Sequence, residues 1–393
     1  MILALLMNGA SVVPLFAPLL PQIALVVLVL RYANLDRLRF DPPVAVAISL
    51  VFLALATGAA LGSDLDNAFR LYKLLGNSVV AVFVARALAA RYGDKMPHAY
   101  AHAVLVMSVA GLLGLVLSQL TDWHITAAIG DRVYNTNLLN VWLIDSGFSS
   151  SQTTFSPFPY RLQSFFDEPG TYGMLLVPAL FYFLDTGSKR KAAVLTLCVF
   201  LSESASAWLL TALLYLFQTT RVKRTTDKAF LIVVMAGIVI AALPDIVRLY
   251  EIKAGLDDAY LNNSSLGTRS LEYDYLFRHW LTHALPLNSV GSAYAQLGTI
   301  SSSYVAWYIF GGVAFLVVFF WVLVSLERAL RAARRYGTPL QRFAFVLGAI
   351  LFSSGFQRTA FLDNIMFMSL VYWSLSQARL SALRFEASVH GPR

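Results

Sequence analysis

The chain has 393 residues, 58% hydrophobic and only 13% charged, with a net charge of +8 and a mean hydropathy of +0.65. A soluble domain carries about 25% charged residues, so an ordinary soluble globular protein is excluded, and apolar runs recurring from end to end predict a polytopic membrane protein. The basic excess matches cytoplasmic loops and not a nucleic-acid footprint, while the single cysteine, Cys198, excludes an intrachain disulfide and a cysteine-based metal site.

Taken in order, residues 1–30 are apolar and broken by Pro14, Pro18 and Pro21. A crossing needs about 20 residues, so one span near 12–31 is expected, or a hairpin of two short helices. The stretch is read as a retained helix because it lacks a charged n-region and a small-residue cleavage site. Arg31, Arg37 and Arg39 then mark the cytoplasmic side. Further spans are expected at 43–62, 70–90 and 98–120, the last leading to a long outer loop, 121–170. A span at 171–187 returns to Lys189-Arg190-Lys191.

The next apolar segment, 192–218, has basic residues at both flanks, so it must enter the membrane and turn back, with Ser202-Glu203-Ser204-Ala205-Ser206 as the break. Two such helices reach only about 20 Å each at about 1.5 Å per residue, which predicts thin or re-entrant helices. A span at 229–247 leads to a second long outer loop, 248–300, with an amphipathic helix carrying Tyr273, Phe277 and Trp280 on one side. A single span at 303–326 and a hairpin at 341–377, turning near Gln357-Arg358, complete the chain. The expected fold class is therefore all-α: a polytopic transmembrane helix bundle of about 11 helices, or 12 if the N-terminal run splits, forming one integral membrane domain over 1–393. This assignment leaves nine of the 30 Lys and Arg residues outside, where orientation does not explain them.

Two outer arginines stand out, Arg161 and Arg269, each in a long outer loop a little before an amphipathic or membrane-entering helix. A guanidinium is permanently charged and forked, which suits a phosphate. Either the two converge on a pyrophosphate at the membrane surface, or each pairs with a nearby loop acid. Asp167-Glu168-Pro169-Gly170 places two carboxylates before a helix, where they serve as a cap, or Glu168 serves as a general base. His279 and His283 have the spacing of a two-ligand metal face, but no third ligand is evident and no metal is expected; either could act as a base instead. Glu203 is the acid predicted deepest in the membrane, unless the turn lifts it to the surface. The Walker, Rossmann and Gly-x-Ser-x-Gly patterns are absent, so nothing suggests a nucleotide cofactor. Most aromatics around the first loop read as an interfacial belt, and some could stack on sugar rings.

The run Arg161-x-x-Ser164-x-Phe166-x-Glu168-Pro169-Gly170-x-x-Gly173, followed by a span, resembles the bacterial polysaccharide polymerase and O-antigen ligase superfamily (Wzy-like). The Ser202–Ser206 hairpin resembles that superfamily's small-residue motif. Ser265-Leu266-Gly267-Thr268-Arg269-Ser270 resembles its second arginine loop, and Pro286 to Gly291 and Tyr304 to Gly312 are similar to its later segments. The resemblance implies an integral glycosyltransferase of the bacterial inner membrane, working on its periplasmic face. Its substrate would be an undecaprenyl-diphosphate-linked oligosaccharide repeat, with neither metal nor cofactor. Arg161 and Arg269 would neutralise the leaving diphosphate and Glu168 would be the base, with Arg278, Asp167, Tyr160, Tyr273 and His279 as further substrate contacts. A chain-length regulator protein is an expected partner. Ile300-Ser301-Ser302-Ser303-Tyr304 lacks the histidine of ligase members, which favours a polymerase over a ligase. A transporter or flippase would gather its polar groups near the midplane; here they concentrate in two outer loops.

Overall fold

The computed structural model describes residues 27, 31, 65–121, 124–129, 132–137, 139–143, 161–166, 169–219, 265–285, 287–297, 300, 302–336, 338–355 and 365–390. The expected spans at 43–62 and 229–247 lie outside these, as do the turn at Gln357-Arg358 and all but two positions of the span at 12–31. The described residues are mostly helical. In chain order come α1 (Leu65–Tyr92), α2 (Met96–Leu120), α3 (Pro169–Asp185), α4 (Lys189–Ser202), α5 (Ala205–Thr219) and α6 (Ser265–His279). They are followed by α7 (Val290–Leu297), α8 (Ser303–Gly311), α9 (Val313–Tyr336), α10 (Pro339–Ser354) and α11 (Ile365–His390). By length and composition two stretches could cross a membrane, Val80–Leu120 and Val313–Arg331; Gly170–Asp185, Ser206–Leu216 and Pro339–Ser354 are shorter apolar helices.

Contacts divide the chain into two compact units, residues 1–23 with 95–256, and residues 24–94 with 257–393. In the first, α3 is the central helix, packed on α2, α4 and α5, and every residue from Met174 to Phe181 is buried. Pro178 sits inside it and removes a ladder donor; in the turn before the ring, the Leu175 carbonyl accepts a hydrogen bond from Tyr100 Oη at 3.0 Å.

This unit also corrects the all-α expectation. The segment expected to be the first outer loop contains a three-stranded antiparallel sheet, β1 (Ile125–Ile129), β2 (Arg132–Thr136) and β3 (Val141–Leu143), in that order. Ile129 pairs with Arg132, so only Gly130-Asp131 lies between the strands, a residue pair suited to a two-residue hairpin link. β-Branched and aromatic residues at 125, 126, 129, 133 and 134 favour extended backbone here. The strands are too short for their alternation to stand out beside twenty-residue apolar runs.

In the second unit α9, α10 and α11 pack on one another and α1 packs on α11. Thr338 opens α10 with a capping box: its hydroxyl accepts from Gln341 N while the Gln341 side chain accepts from Thr338 N. The single span expected at 303–326 is broken. Gly312 has φ 57° and ψ −146°, separating α8 from α9. Only glycine enters that region cheaply. A Cβ there would also collide with the Ala284 carbonyl, which accepts from Val313 N at 2.9 Å. An apolar run shows no break of this kind, because Gly311-Gly312 alters hydropathy little.

Gly312→Ala should therefore cost about 2 kcal/mol or more from backbone strain. In detergent its melting temperature should fall by several degrees, while Gly311→Ala, whose added Cβ meets Phe315 Cβ at an ordinary 3.5 Å, should melt near wild type.

Candidate functional site

In the first unit, the segment 161–166 is threaded between α2, β3 and the α4–α5 break. Two backbone N–H groups, of Gln163 and Ser164, point at Asn140 Oδ1 at 3.1 and 2.6 Å. Two donors at one end of the carboxamide fix that end as the oxygen. Asn140 is itself held by Asn137, whose Oδ1 accepts from Asn140 N at 2.9 Å and whose Nδ2 donates to Gly114 O at 2.6 Å. Ser164 adopts φ 53°, donates from Oγ to Met107 O at 3.0 Å and accepts on its carbonyl from Val141 N at 2.9 Å. Leu162, Gln163, Ser164 and Phe166 are all fully buried. Phe166 stacks on Tyr172, whose hydroxyl donates to Ser108 Oγ at 2.7 Å.

This threading carries Arg161 to the helical break. Leu162 N donates to Leu201 O at 2.8 Å, in the last turn of α4. Arg161 Nε then lies 3.7 Å from Glu203 Oε2, with the Arg161 side chain 26% exposed and that of Glu203 3% exposed. Glu203 caps α4 in the left-handed region at φ 44°, ψ 37°. The expected break at Ser202–Ser206 is present. Ser204 Oγ and Ser206 Oγ are 3.2 Å apart, and Trp208 Nε1 donates back to Val199 O at 2.9 Å, tying α5 to α4. The first turn of α3 lies against the same break, since a Cβ on Gly173 would meet Ala207 Cβ at 2.6 Å and Ser204 Cβ at 3.3 Å. Three separate sequence motifs, the loop arginine, the serine hairpin and the glycine at the start of α3, thus occupy one place. Tyr160, Asp167 and Glu168 lie outside the described residues.

The second unit holds the other candidates. Arg269 falls on α6, with its side chain outside the described residues. One turn on, Glu272 is fully buried and its Oε2 accepts from Ser302 N at 2.9 Å; Tyr273 Oη lies 2.8 Å from Ser302 Oγ. Ser302 also caps α8 and donates to Gly355 O at 3.3 Å, so one serine joins α6, α8 and the end of α10. Arg278 pairs with Asp274 at 2.9 Å on the exposed surface, a kind of pair that contributes at most about 1 kcal/mol. Of the aromatics expected on one side of α6, Tyr273 is half-buried, while Phe277 and Trp280 point outward; the buried line is Glu272 and Tyr275.

His279 is half-buried with its ring 4.7 Å from that of Tyr275. His283 is fully buried, its Nδ1 2.9 Å from Asn288 O and its Nε2 2.9 Å from Tyr275 Oη. The carbonyl can only accept, so Nδ1 carries the proton and Nε2 accepts from the tyrosine. Both nitrogens are engaged, which removes His283 from a metal face; among the described residues no group of three His, Cys, Asp or Glu is placed to hold a metal ion. Burial lowers the His283 pKa, and the charge of His279 lowers it further, against the opposing hydrogen bond to Asn288.

The sequence reading missed Asn140, Asn137 and Glu272. Asn137-x-x-Asn140 after a strand was the available signal for the clamp, since such side chains cap turns. Glu272 was legible only as one more loop acid.

Two outcomes follow. Asn140→Ala leaves two buried N–H groups without their acceptor, at about 1–3 kcal/mol each, so its detergent melting temperature should drop well below that of wild type. His283 binds its proton less readily folded than unfolded, so its neutral form adds no penalty above about pH 6.5, and stability falls as pH drops below that value. Melting between pH 8 and 5 should show this loss in wild type and a smaller one in His283→Gln.

Comparison of the sequence with protein-family models finds no match, and comparison with curated proteins finds none either.

Proposed function

We propose that this chain is a polytopic glycosyltransferase of the bacterial inner membrane that polymerises undecaprenyl-diphosphate-linked oligosaccharide repeats on the periplasmic face. The observation that carries the reading is the ion pair of Arg161 and Glu203 at the break between two short apolar helices. A buried carboxylate orients a guanidinium whose exposed quarter can meet an anion, and the first turn of α3 lies beside it. Helix N-termini favour phosphate for the same electrostatic reason.

The membrane part of the reading is supported by apolar residues turned outward, which a soluble surface avoids in large patches. Val106, Leu113 and Leu117 on α2, and Leu209 and Leu213 on α5, are exposed. Helices α4 and α5, of 14 and 15 residues, reach only about 20 Å each, which suits a re-entrant pair.

In the proposed reaction an acceptor sugar hydroxyl attacks the anomeric carbon of the donor. The new glycosidic C–O bond forms as the bond to the diphosphate breaks, with inversion. The lipid diphosphate leaves, its charge neutralised by Arg161, in the manner of a preorganised electrostatic site. The hydroxyl proton passes to a base, for which Glu168 is the choice from sequence. Arg269 is carried as a second anion ligand from sequence, and a chain-length regulator as a partner. The chemistry calls for no metal and no cofactor.

The test is a product ladder. Purified protein with a synthetic undecaprenyl-diphosphate repeat should give a ladder on a gel. Arg161→Ala should lower the rate about 100-fold or more, the scale of removing one preorganised donor to a developing anion, and Arg269→Ala is measured by itself. A full ladder from Arg161→Ala would discard the site. Transfer only to a separate acceptor would make the protein a ligase, and lipid movement across vesicles without product would make it a transporter.

A further inference from the structure

We propose that the end of α6 and the turn after it, residues 277–285, are seated in the membrane interface, with Phe277, Leu281 and Leu285 in contact with lipid. The turn would thereby hold the second outer loop's helix at headgroup level. The proposal rests on the membrane reading above and adds a lipid-contact surface to it.

The turn is two-sided. Inward it presents Tyr275, His283 and Leu287, all buried. Outward it presents Phe277 at 79% exposure, Trp280 at 50%, Leu281 at 68% and Leu285 at 53%. Leaving such side chains in water is unfavourable relative to burial. They are also held rigidly in that position. Tyr308 Oη donates to Trp280 O at 2.9 Å, Val313 N to Ala284 O at 2.9 Å and Leu287 N to Phe310 O at 3.0 Å. The outward residues are therefore fixed against the start of α9.

What covers them follows from that attachment. The stretch Val313–Arg331 of α9 has 19 residues and only 22% of its apolar window is buried. At about 1.5 Å per residue it is about 28 Å long, close to the roughly 30 Å of a hydrocarbon core. Its outward residues Val313, Val317, Phe320 and Val324 continue the apolar surface of the turn. The outward apolar run on α9, about 17 Å from Val313 to Val324, ends one turn before the exposed pair of Glu327 and Arg331, and Asp274–Arg278 is a second exposed pair on α6. A sparsely buried apolar helix of spanning length, with the apolar turn attached at its start, matches lipid. With the turn seated so, Trp280 and Arg278 would lie at headgroup level, where an aromatic ring and a long cationic side chain are favoured.

Depth can be measured by spin labelling. Cys198 is buried and is the chain's only cysteine, so Cys198→Ala gives a blank background, checked by melting. Leu281→Cys, Val317→Cys and Gln296→Cys, the last exposed on α7, are each labelled with a nitroxide in the full chain in liposomes. Collision with oxygen, enriched in lipid, is compared with collision with a water-soluble nickel chelate. The oxygen-to-nickel ratio at 281 should be several-fold above that at 296 and below that at 317. A ratio at 281 equal to 296 with 317 still lipid-like would overturn the interfacial seat and leave the membrane reading standing. Low collision with both agents at 281 would mean that protein covers it, which also overturns the proposal. Water-like ratios at all three positions would remove the membrane reading itself.

Discussion

Asn140 Oδ1 accepts the N–H groups of Gln163 and Ser164, and the geometry of the first unit's site follows from this constraint. The segment it holds belongs to no helix and to no strand of the sheet. Without the carboxamide its buried N–H groups would need water, which a tightly packed apolar interior does not supply. With it, Ser164 can take a left-handed backbone, Leu162 can reach the end of α4, and Arg161 arrives beside Glu203. Small residues make room for this. Gly111 faces Leu162 and Ser164, Gly114 faces Asn140, and Gly173 lets α3 meet the helical break. The polar clamp and the small-residue contacts are parts of one arrangement, because neither positions the arginine alone.

The second unit solves a related problem with a carboxylate. Glu272 sits in the interior, accepting from Ser302 N where α8 begins, so its negative charge lies at the favourable end of a helix. Ser302 then reaches Gly355 and Tyr273. A buried charge of this kind is costly unless hydrogen bonds satisfy it, and here it fixes how α6 lies against α8. Both units thus use one short polar side chain to bind elements that are distant in sequence.

Much of this was legible in the sequence for a simple reason. Apolar runs of twenty residues and their basic flanks mark helices strongly, so α1, α2, α3 and α10 fall close to the expected positions. The serine-rich break was readable because two basic flanks force a turn between them. Arg161 and Glu203 were each visible as odd charges, but their pairing was not, since 42 residues and two helices separate them in the chain. The sheet was hidden because five-residue strands carry a weak period beside long apolar helices. The break at Gly312 was hidden because its cause is a backbone angle and a carbonyl from another element. The expected single side of Tyr273, Phe277 and Trp280 is split, since Tyr273 turns inward to Ser302 while Phe277 and Trp280 turn outward, and spacing alone does not reveal such contacts.

Glu203 occupies a backbone position that glycine or asparagine would fill at less cost, with φ 44° at the end of α4. Locally the residue is frustrated: the chain tolerates strain there and keeps a buried negative charge in exchange. The demands of the fold and of the ion pair therefore pull opposite ways at this residue. Selection for heat resistance alone would drift away from glutamate at 203 and discard the ion pair with it, so durability and the proposed anion site are opposed at a single torsion angle.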